Sequence, residues 1–344
     1  MNGTIPYLPG LSPVEGKELC ARFDGGRLSS DGGVLSFPGI ERRLGIADLL
    51  ASCVTDERTP ASTTHTYADM IRARMFAIAC GYEDCDDLDV VRFDPAFKLA
   101  CGRLAETGDD LMSQPTLSRL ENAPSWRQPG RMGLSMIDLS CASFRAEPER
   151  IVLDIDDTDD AVHGGPQLAL FNAHYDEYIF QPIHIFEATT GKPVLPLLRP
   201  GKRPSGEEAA SKGCDVRFVV TNLPGRAKVL YEKVYCARGR MENMIKDHKL
   251  YTKSDRTSCH RWEANQFRLF LHTGAYWLLH QLRQAAPRRS LWRKATFETI
   301  RRAFLKIAGR IEELKSRIRI ALPSAYPYRP ALLSMDGRIQ AQGP

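Results

Sequence analysis

Four polar side chains between residues 235 and 249, in the run YCARGRMENMIKDHK, are spaced so that a helix would gather them. At roughly 100° per residue, Tyr235, Arg238, Glu242 and Lys249 fall at about 0°, −60°, −20° and −40°, within one narrow stripe. A phenol, a guanidinium, a carboxylate and an ammonium on one face suit chemistry at phosphate. Glu242 can ligate a divalent cation, and Arg238 and Lys249 can meet backbone charge. A solvated helix laced with ion pairs has the same spacing, so the stripe alone does not choose between the two readings. Met241, Met244, Ile245 and His248 fall on other sides of the cylinder, where the apolar ones can enter a core.

A second concentration of charge lies in IVLDIDDTDD, residues 151–160. Ile151, Leu153 and Ile155 alternate with Val152, Asp154 and Asp156, a period-two strand with two acids on one face. Five of the seven residues from Asp154 to Asp160 are acids. Such a concentration calls for a counter-ion, and a metal would serve. Structural acids at a strand edge are the plainer alternative.

The helix pattern Tyr-x2-Arg-x3-Glu-x6-Lys resembles the signature of bacterial insertion-sequence DDE transposases, and this chain matches all four positions. The flanking text, LYEKVYCARGRMENMIKDHKL and SDRTSCHRWEANQFRLFLHTGAYWLL, is similar to the 1380 group of insertion sequences. Asp156-Asp157-Thr158 resembles that family's first catalytic Asp in its Asp-x-Thr setting. Residues 163–201 follow the family's HG…Q…N…Y…P…F…TG…LRPG course. The resemblance implies a ribonuclease H-like DDE domain that cuts and joins DNA phosphodiesters. It makes Asp156 and Glu242 the catalytic and metal-binding acids for Mg²⁺ (or Mn²⁺), and places Tyr235, Arg238 and Lys249 on the DNA. Its partners would be double-stranded DNA, both transposon terminal repeats and target, with the chain assembling as a homo-oligomer.

One family element is missing. Lys202 to Asp215 reads KRPSGEEAASKGCD, and strand-like RFVVTNL follows at 217–223. That polar stretch is too short for a helix plus a buried strand carrying the second catalytic Asp. An internal deletion near 211–214 is the expectation, with Asp215 the only strand-adjacent substitute. The copy then reads as an impaired transposase, or as a DNA-binding remnant that occupies transposon ends without cutting.

The elements needed to position these residues are legible in part. The chain has 344 residues, 43% hydrophobic and 26% charged, long enough for one large domain or two. No apolar run can span a membrane, and nine cysteines without a CxxC pair suit a reduced cytoplasm, beside the nucleoid. Residues 1–150 hold 16 Lys/Arg against 22 Asp/Glu, whereas residues 281–320 hold 12 against 3. Such a basic stretch suits a polyanion, with Arg301, Arg302 and Lys306 as natural phosphate partners.

Residues 1–145 read as mostly helical, with helical apolar spacing from Thr66 to Cys80, and the resemblance makes them the DNA-end-binding region. MSQPTLSRLEN, at 112–122, begins a helix at Ser113 and Pro115. It reads like the recognition helix of a helix-turn-helix, which would aim Thr116, Ser118 and Arg119 at DNA. Residues 150–325 read as the incomplete ribonuclease H-like domain, with a core helix at 262–285 and basic amphipathic helices over 291–322. Residues 326–344, rich in proline, read as an irregular tail. The fold class is mixed α/β.

Overall fold

The computed structural model describes residues 12–162, 164–172, 175–201, 224–235 and 240–342, with the backbone alone at 233–235 and 240. The N-terminal part is helical, as its periodicity requires. It contains α1 (Phe37–Leu44), α2 (Ile46–Ser52), α3 (Tyr67–Cys80), α4 (Leu88–Val91), α5 (Pro95–Ala100), α6 (Gln114–Glu121) and α7 (Gln128–Ala142). The Thr66 hydroxyl accepts from the Asp69 amide to cap α3, and Gly81, at φ 91°, ends it in the left-handed conformation that favours glycine.

The acid-bearing segment is the strand its alternation predicts. β2 (Leu153–Asp157) pairs antiparallel with β6 (Ile183–Glu187), which pairs with β7 (Lys192–Leu197). A smaller sheet joins β3 (Asp160–Ala161), β5 (Glu177–Phe180) and β4 (Leu170–Asn172). Among the described residues β2 has no strand on its other edge. Its outer face carries Ile151, Leu153 and Ile155, which stay 49%, 48% and 52% exposed. β1 (Arg27–Ser29) belongs to a third sheet, described below.

The Glu242 segment is α8 (Arg240–Lys246), continued by a π-helical turn, Asp247–Tyr251. The core helix α9 runs Trp262–Ala285, as its apolar pattern predicts, and is buried almost all round. It packs on α3, α7, β7 and the C-terminal helix.

The C-terminal expectations need correction. Residues 297–305 are helical, as α10 (Phe297–Ile300) with a π-helical extension, but the chain then forms a hairpin, β8 (Gly309–Leu314) and β9 (Arg317–Ala321). The physical reason is alternation: Ile311 is buried and Ile318 packs against the core, while Arg310, Arg317 and Arg319 alternate with apolar residues. β1 supplies the third strand, pairing with β8 from the far end of the chain. Nor is the expected tail, 326–344, irregular over its described residues, 326–342. Arg329–Ala341 form α11, with Pro330 in its first turn, where proline starts a helix instead of breaking one.

One hydrophobic cluster runs from Val34 through Met75, Met136, Phe186, Met244 and Trp277 to Ile339. The expected boundary at 145–150 therefore does not separate two cores. Gly33 shows how closely the ends are joined: a Cβ there would stand 1.7 Å from the Phe304 carbonyl oxygen.

Candidate functional site

β2 holds its acids in a fixed phase. Asp154 lies opposite Phe186, and Asp156 opposite His184. Directly opposed residues share a sheet face, and this face is the covered one. The Phe186 ring sits 5.4 Å from that of Tyr276 on α9, and the His184 ring 4.8 Å from that of His248. His248 belongs to the π-helical turn that continues α8. Asp156 and the Glu242 helix thus lie on the same side of the sheet.

Met241 and Met244 anchor α8 in the core and leave Glu242 exposed. His248 anchors the turn that follows. Its Nδ1 lies 2.7 Å from Ser254 Oγ and its Nε2 2.9 Å from Thr273 Oγ1. Burial pushes its pKa well below the ordinary histidine value, so the ring is neutral. Burial, and then the Lys249 charge, bring His184 down to about 4. Asp247 pairs with Arg283 of α9 at 2.6 Å and accepts from the Phe297 amide, clamping the same turn from its other side.

The wider π turn moves Lys249 off the stripe drawn for a uniform α-helix. Its ammonium instead reaches the end of β2, donating to Thr158 Oγ1 at 3.3 Å and to the Asp159 carbonyl, and pairing with the Asp159 carboxylate at 3.4 Å. Asp160, only 2% exposed, has its carboxyl held well above the usual range by burial, against the pull of Lys249, and one of its oxygens has no hydrogen-bond partner. Asp157 is tied to Gln181 and Arg199 at 3.0 and 2.7 Å. Beyond Lys249 opens a cavity of about 600 Å³ lined by Asp159, Lys249, Lys253, Asp255 and Arg256.

The fold therefore joins Lys249 to the segment after Asp156 and lays α8, with Glu242 exposed on it, against the neighbouring strand β6. Arg238, Asp215, the strand-like 217–223 and the join at 211–214 lie outside the described residues, as does the Tyr235 side chain. Among the described residues no group of three or more His, Cys, Asp or Glu side chains is arranged to hold a metal. Arg119 lies on α6, exposed as expected, but α6 is not the second helix of a helix-turn-helix. Residues 101–113 separate it from α5, where that motif has a turn of about three or four residues. The histidine contact was not foreseen. Its one signal was that His184 alternates in phase with Phe186, which marks an inward-facing position.

A strand acid and a helix acid on neighbouring elements of a mixed α/β fold, with a lysine just past that helix fixed at the strand's end, make a candidate phosphoryl-transfer site. The family model described as Transposase DDE domain group 1 matches residues 11–212 and 207–344, and the chain belongs to that family. No curated protein and no solved structure matches it. No described helix is long and apolar enough to cross a membrane.

Proposed function

We propose that this chain is an insertion-sequence transposase of the 1380 group whose catalytic acid set is incomplete. It binds DNA at transposon ends through its N-terminal helical region, 1–145, and carries a ribonuclease H-like domain with Asp156 and Glu242 as its remaining catalytic and metal-binding acids. The observation that carries this reading is the β2–β6 register, which turns Asp156 to the face covered by the Glu242 helix. Lys249, and with it Tyr235 and Arg238, would meet DNA phosphates.

Two carboxylates form a hard-oxygen donor set that suits Mg²⁺ or Mn²⁺, which keep several waters and need few protein ligands. A bound ion of this kind supplies charge stabilisation at the attacked phosphate. The donor set fits one ion better than a bridged pair, since no third ligand joins it among the described residues. The neutral His184–His248 contact sets the height of the helix over the strand, and the Lys249–Asp159 pair fixes a cation at the strand's end. The deletion reading draws support from the family match, which comes in two segments meeting at 207–212. The same observation favours the second reading, a remnant that occupies transposon ends and blocks intact copies.

The test is purified protein with DNA taken from the gene's own flanks, in Mg²⁺ or Mn²⁺, with nicked product read on a gel. The expected result is DNA binding with cleavage at background in either metal. Robust cutting that disappears in Asp156→Ala and Glu242→Ala would show that the site is complete. Glu242 is exposed, so Glu242→Ala should keep its unfolding free energy within about 0.5 kcal/mol of wild type, which makes it the cleaner variant.

A further inference from the structure

Far from β2 in sequence, the first turn of α3, one wall of α6 and the short turn Pro60–Ser62 enclose an open cleft of about 480 Å³. Its lining includes Arg58, His65 and Arg119 with the hydroxyls of Thr63, Thr64 and Thr116, and no carboxylate. That composition is notable in a half of the chain where acids outnumber bases. Arg58 lies 4.2 Å over the Tyr67 ring and is chelated by Asp56 at 2.6 Å, which pre-sets its guanidinium. His65 is braced from behind by Arg103 at 2.7 Å. Arg119 stands exposed on the rim and has no ion-pair or hydrogen-bond partner among the described residues.

Shape decides what such a cleft can take. A base-reading element must protrude to enter a groove, whereas here α6 is the wall of a hollow. Backbone phosphates protrude from a duplex, and fixed guanidinium and hydroxyl donors are what meets them. We propose that this cleft seats a sugar–phosphate segment of duplex DNA, with Arg119, Arg58 and Thr116 as phosphate contacts that position the duplex without reading its sequence. The assignment rests on the transposase reading and extends it to a second DNA contact, away from the Asp156 face.

The experiment measures binding of the full chain to two labelled 30-base-pair duplexes, one from the gene's flank and one of arbitrary sequence, across a salt series. Arg119→Ala should weaken both duplexes alike, by roughly tenfold at 0.1 M salt, and lower the slope of log K against log salt by about 0.9, the signature of one lost phosphate contact. Arg119→Lys should restore most of the slope. A loss confined to the flank duplex would show base reading and overturn the proposal. Unchanged affinity and slope would overturn it too. Inorganic phosphate, titrated calorimetrically, covers the remaining source: binding abolished by Arg119→Ala while duplex affinity holds would make this a free-anion site. If wild type bound neither duplex, the transposase reading itself would fail and this assignment with it. Failure of the Arg119 arm alone, with wild type still binding, would leave that reading standing.

Discussion

His184 and His248 lie far apart in sequence and touch in the core, where burial keeps both neutral. With the folded-state pKa of His184 at about 4, against an ordinary 6.5, its neutral form is favoured in the native protein. The stability it contributes is complete above about pH 6.5 and is lost as pH falls toward 4, because only the unfolded chain then takes up the proton. Full titration corresponds to roughly 3 kcal/mol. Other groups titrate in this range, and Glu41, raised to about 7 by burial, works in the opposite direction. The informative quantity is therefore the difference between wild type and His184→Gln. The wild-type advantage in melting temperature should shrink steadily from pH 6.5 to pH 4, and a constant gap would count against a neutral His184. At this scale the sequence was legible where local spacing speaks. Asp156 lies on the strand, and Glu242 on the helix, that their spacing predicts. The histidine contact depends on how a helix settles on a sheet, which no local pattern encodes.

Among the elements, α3, the β2–β6–β7 strands and α9 match the periodicity of their residues, because each is long or strictly alternating. The errors cluster where charge stood in for pattern. Residues 309–321 were read as helical from their arginines, although the isoleucine alternation fits a hairpin, and β1, the strand that completes it, lies near the start of the chain. The run DGG at 31–33 has the composition of a turn, yet the Gly32 amide donates to the Ile307 carbonyl at 2.7 Å and Gly33 lies against Phe304. Gly33→Ala must push backbone against backbone, with no flexible side chain to yield. It should cost at least the 1–3 kcal/mol typical of overpacking, measured as a drop in denaturation midpoint. Gly45→Ala is the contrast: nothing crowds its Cβ position, and the only penalty is its φ of 63°.

At the scale of the molecule, one core shared by both halves predicts one cooperative unfolding transition, since α3 buries its face on α9. Two resolved calorimetric transitions would restore the domain boundary at 145–150. The same cohesion changes how the basic stretch should be tested. Lys306 pairs at 2.7 Å with Asp31, itself 1% exposed, and Arg301 is buried against the Ala79 carbonyl and Glu298. Reversing either charge should unfold the protein, so neither can report on DNA. Arg288 and Arg289 are exposed, and converting both to Glu should leave the melting temperature unchanged while weakening DNA binding and flattening its salt dependence. Net charge along the sequence showed that a polyanion site was plausible, but not which cations were already engaged.

The edge of β2 that no described strand covers gives the strand's last acid a second duty. An edge strand whose outer face alternates Ile151, Leu153 and Ile155 is the kind of surface on which chains stack into insoluble aggregates. Asp157, exposed on that outer face at the strand's end, is the acid placed to act there as a gatekeeper against a neighbouring molecule's strand, whereas Asp154 is buried and Asp156 faces the covered side. Selection for solubility alone would retain Asp157. An acid kept at this position is therefore no proof of catalysis, and its replacement by a neutral residue exposes the cell to a stickier protein.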